Sequence, residues 1–190
     1  MGRPAVTDAR PRLSKADWLD AALAAMAAQG TTGVNVEQLA RSLGATKGSF
    51  YHHFDNRDAL LAAALDRFAE IVQGDLDAAA TIADPRERLI EAALVGIGTS
   101  LDGFVDLALS ASADDPVVAD ALEQITELRL RWLRDALTEA GIAASEAQAR
   151  AESGLATYLG LFHLQRVQGR RFDDRHLRAQ IVRIIDTMLA

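Results

Sequence analysis

The sequence predicts an all-α protein of about nine helices, and three observations carry that reading. Apolar residues recur at three- and four-residue spacing through most of the chain, as they do on the buried face of a helix. Residues that cap helices stand before those runs: Ser14, Asn35, Thr46 and Asn56, then the pairs Asp84-Pro85 and Asp115-Pro116. No segment alternates apolar and polar residues between turn signals, which is the pattern of a half-buried strand.

Taken in order, residues 1–13 hold two prolines and three arginines with almost no periodicity, and read as a flexible basic arm. Ser14 caps a first helix from Lys15 to Gln29, with Trp18, Leu19, Leu23 and Met26 on one face and Gly30 at its end. Asn35 followed by Gln38 reads as a capping box that opens a short second helix through Leu43. Gly44 breaks the chain, and Thr46 caps a third helix from Lys47 to Phe54. Asn56 caps a fourth, longer one running toward Gly74. Asp84-Pro85 starts a fifth helix that carries on to about Ser100, and a less regular stretch from Asp102 to Ala113 is the sixth. Asp115-Pro116 begins a long seventh that reaches Gly141. Ser145 opens the eighth, ending near Gly169, and Asp174 begins the last, through Leu189. There is no internal repeat and no low-complexity tract.

Composition narrows the function classes. Hydrophobic residues make up 49% of the 190 and charged residues 25%, the balance of a globular protein. Cysteine is absent, which removes disulfides, thiolate catalysis and cysteine-held zinc together. No apolar run is long enough to span a bilayer, and the arginines near the start interrupt any signal-peptide core, so a soluble, cytoplasmic protein without a membrane partner is expected. The four histidines are His52, His53, His163 and His176, and none has the spacing of a metal-binding pair. No nucleophile-elbow or phosphate-cradling glycine pattern occurs either. We expect no catalysis, no cofactor and no metal.

The net charge of −7 conceals an asymmetry. Through Arg57 there are seven basic residues against five acidic ones, a surplus of two, which leaves −9 for the remainder. An electrostatic footprint for nucleic acid belongs to a surface and not to a whole chain.

The most informative stretch is VNVEQLARSLGATKGSFYHHFDNRDALL, from Val34 to Leu61. It is a short helix, a glycine turn and a second short helix, with Val36, Leu39, Ala40 and Leu43 packing inward from the first and Phe50 and Phe54 from the second. A second helix of about nine residues is roughly 13 Å long, close to the width of a DNA major groove. Its outer positions, Thr46, Lys47, Gly48, Ser49, Tyr51, His52 and His53, are small or hydrogen-bonding, with no acid before Asp55.

This stretch resembles the TetR family of bacterial regulators. Ala40, the Gly44 turn and TKGSFYHHF match the family's motif, and Asn56-Arg57-Asp58 followed by leucines matches the start of its fourth helix. The resemblance covers about Leu13 to Leu65; beyond that only helix number and length agree. It implies a helix-turn-helix DNA-binding domain at 14–57 and a ligand-binding and dimerisation domain at 58–190. Asn35 would cap the second helix beside a phosphate, Lys47 and Gly48 would sit at the groove, and Ser49 would face base edges. Thr46, Tyr51, His52 and His53 would join the DNA-contacting face, and Arg57 would meet a phosphate at the next helix start. The arm would follow the minor groove.

For the remainder, the resemblance implies a homodimer through the last two helices and a cavity among the others. Phe68, Trp132, Tyr158, Phe162 and His163 are the candidate cavity residues, and a small, largely apolar effector fits the scarcity of charge there. The function so implied is a repressor that binds a palindromic double-stranded DNA operator and is released by that effector. The alternative is a helix-turn-helix protein that acts through protein partners instead of DNA.

Overall fold

A computed structural model of the chain describes residues 13–98, 102–169 and 173–190, and among these it contains nine α-helices, one 3-10 turn and no strand. The expected arm lies, but for Leu13, outside the described residues.

Helix α1 (Lys15–Gln29) begins at a complete capping box: the Asp17 N–H donates to Ser14 Oγ, and the Ser14 N–H donates to Asp17 Oδ2. The Ser14 N–H and then the Ser14 hydroxyl, both donating to Asp17 Oδ2, hold that carboxyl below its usual range. The helix ends at Gly30, whose φ of 68° favours glycine. A 3-10 turn, Gly30–Gly33, follows, which the sequence pattern did not reveal. It lies so close under α1 that a Cβ on Gly33 would stand 2.6 Å from the Ala25 carbonyl oxygen.

Helices α2 (Val36–Ser42) and α3 (Lys47–Tyr51) meet at a turn where Gly44 takes φ 63°. Asn35 caps α2 by accepting from the N–H groups of Glu37 and Gln38. The expected capping box is not made, because the Asn35 N–H goes to the Gly33 carbonyl at 2.8 Å instead of to Gln38. Helix α3 is also shorter than expected. The N–H groups of both His53 and Phe54 go to the Phe50 carbonyl, closing a turn, and the chain then extends through Asn56 (φ −158°) to cap α4.

Helix α4 (Arg57–Ala80) runs past Gly74, where the sequence suggested a stop. The buried series Phe68, Val72, Leu76 and Ala79 continues across the glycine, and packing outweighs its cost of about 1 kcal/mol in a helix interior. Then come α5 (Pro85–Gly98), α6 (Asp102–Ser110) and α7 (Pro116–Glu139). Helix α8 (Ala144–Gln168) starts one residue before Ser145, after Ala143, which offers no side-chain cap. Helix α9 (Asp174–Leu189) is capped by Asp173, which accepts from the His176 N–H.

Helix α4 is the spine, packing on α1, α5 and α7. One core joins Trp18, Met26 and Phe50 from the first three helices to Leu65 and Phe68 of α4, Val105 and Leu109 of α6, and Ile125 of α7. A second joins Ile90 of α5, Leu137 of α7, Leu161 of α8 and Ile181, Ile185 and Met188 of α9. The first three helices are therefore not a separate bead on a tether: their core runs into the body through α4 and α6.

Two polar contacts fix α6 between head and body. Thr31 Oγ1 lies 3.0 Å from Ser112 Oγ just beyond α6. Within the body, Arg129 of α7 donates to Asp106 of α6 at 2.7 Å, with each side chain only 7% exposed. Burial pushes the Asp106 carboxyl up from its ordinary value, and the Arg129 charge opposes that push.

Candidate nucleic-acid interface

Helix α3 is held from beneath by aromatic rings. Phe50 is fully buried, packed edge-on against Trp18 at 5.4 Å and stacked with Phe54 at 5.7 Å between centroids. Burying each such side chain stabilises the head by roughly 1.5–3 kcal/mol, so the helix has little freedom to roll. Thr46 caps it by accepting from the Ser49 N–H.

That anchoring leaves Thr46, Lys47, Gly48, Tyr51 and His52 exposed on one surface, with Asn35 exposed at the start of α2 and Ser49 half-buried. Tyr51 is 61% exposed. Lys47 is not an isolated charge. Its ammonium donates to Glu37 of α2 at 2.5 Å, which raises the lysine's pKa and lowers the glutamate's, first through the hydrogen bond and then through charge. The third helix itself carries no acid before Asp55, and this one reaches across from the helix before it.

Two other expected contact residues are engaged elsewhere. His53 is half-buried, and its Nε2 lies 3.0 Å from the Leu13 carbonyl oxygen, where the chain leaves toward its N-terminus. Arg57 straps the 3-10 turn: its Nε donates to the Val34 carbonyl at 2.9 Å and an Nη to the Thr31 carbonyl at 2.6 Å. A second Nη pairs with Asp58. A further cation, Lys15 at the start of α1, stands 5.5 Å from the centre of the Phe54 ring.

In the body, a cavity of about 80 Å³ opens among α4, α5, α7, α8 and α9. Trp132 and Tyr158 line it, together with Leu76, Leu133, Ile184, Asp75 and Arg129. The other three cavity candidates do not line it. Phe68 is in the first core, under the Arg129 guanidinium at 5.9 Å. Phe162 is buried and meets Tyr158 edge-on at 5.2 Å. His163 is exposed on α8, beside exposed Leu164 and past the buried pair Leu161 and Phe162. Asp75 and Arg129 went unnoticed in the sequence, where nothing distinguishes them from surface charges. On α8, Leu164 and Val167 are 46% and 70% exposed.

No described helix is long and apolar enough to cross a membrane. Residues 19–64 match the family model described as bacterial regulatory proteins, tetR family. No curated protein matches the chain. Among solved structures, a transcriptional regulator from Rhodococcus sp. Rha1 is 24% identical, covers 93% of this chain and 96% of its own, and superposes with a TM-score of 0.79. A TetR transcriptional regulator from Legionella pneumophila is 14% identical over 94% of this chain and 98% of its own, with a TM-score of 0.82. A transcriptional regulator from Saccharomonospora viridis, solved in complex with choline, is 21% identical over 90% and 95%, with a TM-score of 0.74. The segment that holds α2 and α3 thus carries the tetR-family helix-turn-helix, and the whole chain has the fold of these regulators.

Proposed function

We propose that this protein is a cytoplasmic transcriptional repressor that binds a palindromic operator as a homodimer and is released by a small, largely apolar effector. The observation that carries the reading is the surface of α3: Thr46, Lys47, Gly48, Tyr51 and His52 exposed together over a rigid aromatic base. Small residues at the start of the helix let its backbone approach the groove, while Lys47 and Tyr51 supply a charge and a hydroxyl for phosphates or base edges. Asn35 and Ser49 complete the contact face. His53 and Arg57 serve it from behind, the first at the root of the arm and the second by bracing the turn before α2.

The exposed Leu164 and Val167 on α8 support pairing of α8 and α9 with a second copy, which would build a four-helix interface. Two heads at fixed spacing read two half-sites, hence the palindrome. Effector control follows from the connection of cavity to head. Arg129 lines the cavity and grips Asp106 of α6, α6 packs on α1, and Thr31 of the head meets Ser112. An effector that binds more tightly to one setting of α6 than another shifts the spacing of the heads, and only that difference in affinity drives release. The choline bound to a structural neighbour supports a small-molecule occupant.

The test is a salt titration of binding to double-stranded DNA. A reader that neutralises phosphates loses affinity steeply as salt rises. Absence of DNA binding at any salt, alongside capture of a protein partner by the same surface, would overturn the reading.

A further inference from the structure

Two charged residues stand in the largely apolar cavity wall, and they differ in kind. Arg129 already has a counter-charge, since its guanidinium holds the buried Asp106 carboxylate at 2.7 Å. Asp75, on α4, does not: its Oδ2 is buried with no hydrogen-bond partner. Burial alone pushes this carboxyl above its ordinary value. Native proteins seldom leave such an acceptor unmet, and an unpaired carboxylate in an apolar wall is costly unless something donates to it. Val72, Leu76, Ile184, Trp132 and Tyr158 also line the cavity. Aromatic walls favour cations as well as apolar surface.

We propose that the cavity selects a protonated amine carried on an apolar or aromatic body, with Asp75 accepting from its N–H and Trp132 and Tyr158 flanking the body. This deepens the effector reading above and rests on it for the cavity's role. An anionic ligand fits worse, because the cation it would need is already committed to Asp106. A purely hydrocarbon ligand would leave the Asp75 oxygen unmet and gain nothing from it.

Three probes of one shape separate these classes: protonated 2-phenylethylamine, its carbon isostere propylbenzene, and the anion 3-phenylpropanoate. Each is titrated calorimetrically into the full-length protein and into Asp75→Asn. The amine is expected to bind wild type at least tenfold more tightly than either of the others. Asp75→Asn should weaken the amine tenfold or more and leave propylbenzene unchanged, which also shows that the variant's cavity is intact. Should that variant fail to fold, the wild-type order of the three probes decides alone. Propylbenzene binding as well as the amine, with no effect of Asp75→Asn, overturns the charge preference and leaves the effector cavity standing. Tightest binding of the anion overturns it in favour of Arg129. No binding of any probe removes the cavity as a site for this ligand class and leaves the effector reading to ligands of other chemistry. Amine binding that depends on Asp75 yet leaves bound DNA in place keeps the ligand class and breaks its link to repression.

Discussion

Tyr51 and Phe50 are neighbours with opposite fates. Phe50 is fully buried and Tyr51 stands open, their rings edge-on at 5.1 Å. Removing the exposed ring should therefore cost recognition without costing the fold. Tyr51→Ala is expected to abolish specific operator binding while circular dichroism and sedimentation stay as in wild type; normal binding by the variant would show that another face reads DNA. Lys47 allows a second prediction. In the free protein its charge is shared with Glu37, an exposed pair that salt and water weaken. Glu37→Gln frees the lysine and removes an acid from the surface that meets phosphate. DNA affinity should rise roughly two- to fivefold at low salt, on any sequence, with the gain fading as salt increases. At this scale the exposure of Thr46, Lys47, Gly48, Tyr51 and His52 was legible, since the motif fixes which side of a short helix faces out. The engagements of His53 with Leu13 and of Arg57 with Thr31 and Val34 were not, because they join residues 40, 26 and 23 positions apart.

Among the elements, α6 carries the connection between cavity and head, and the Asp106–Arg129 pair holds it. Breaking one half of a buried ion pair leaves an unmet charge, which destabilises by about 3–5 kcal/mol, whereas replacing both halves with apolar groups is often neutral. Arg129→Met should show that loss in denaturant unfolding, and Asp106→Leu added to it should recover most of it. The loss should also depend on pH. Burial raises the Asp106 carboxyl, so its folded form holds a proton more tightly than the unfolded chain does. Stability from such a group is present below the ordinary value of 3.8 and is lost as pH rises through the raised one. Arg129→Met should accordingly be closest to wild type in acid and furthest from it at neutral pH. A flat profile would mean that Asp106 finds another partner. Helix starts were legible wherever a side chain caps them, as at Ser14, Thr46, Asn56 and Asp115. They were displaced where none does, as at Ala143. Gly74 misled because a glycine signals a break only when packing does not carry the helix through it.

For the whole molecule, the opposition between a slightly basic first third and an acidic remainder suits a protein that presents one end to DNA. Nothing on the described surface of α8 covers Val167, and pairing with a second copy would. Leu164→Glu combined with Val167→Glu should turn the proposed dimer into a monomer in sedimentation and leave helix content unchanged. Half-site binding would then be weaker by orders of magnitude than binding by the dimer, since linked heads act at high effective concentration. A dimer that survives the double substitution would place the interface elsewhere. The all-α fold was legible because periodicity and caps are local. The cavity was legible only in part: Trp132 and Tyr158 announce themselves as bulky groups, but Asp75 gains its character from burial, which depends on five helices at once.

In the proposed complex α3 reads DNA as one of a symmetric pair. Selection of bound sequences from a random double-stranded pool, with purified full-length protein at moderate salt, tests it most directly. The expected result is enrichment of a palindrome with its half-sites about one helical turn apart, or a multiple of that. Enrichment of no sequence, repeated after unfolding and refolding to strip any bound ligand, would contradict it.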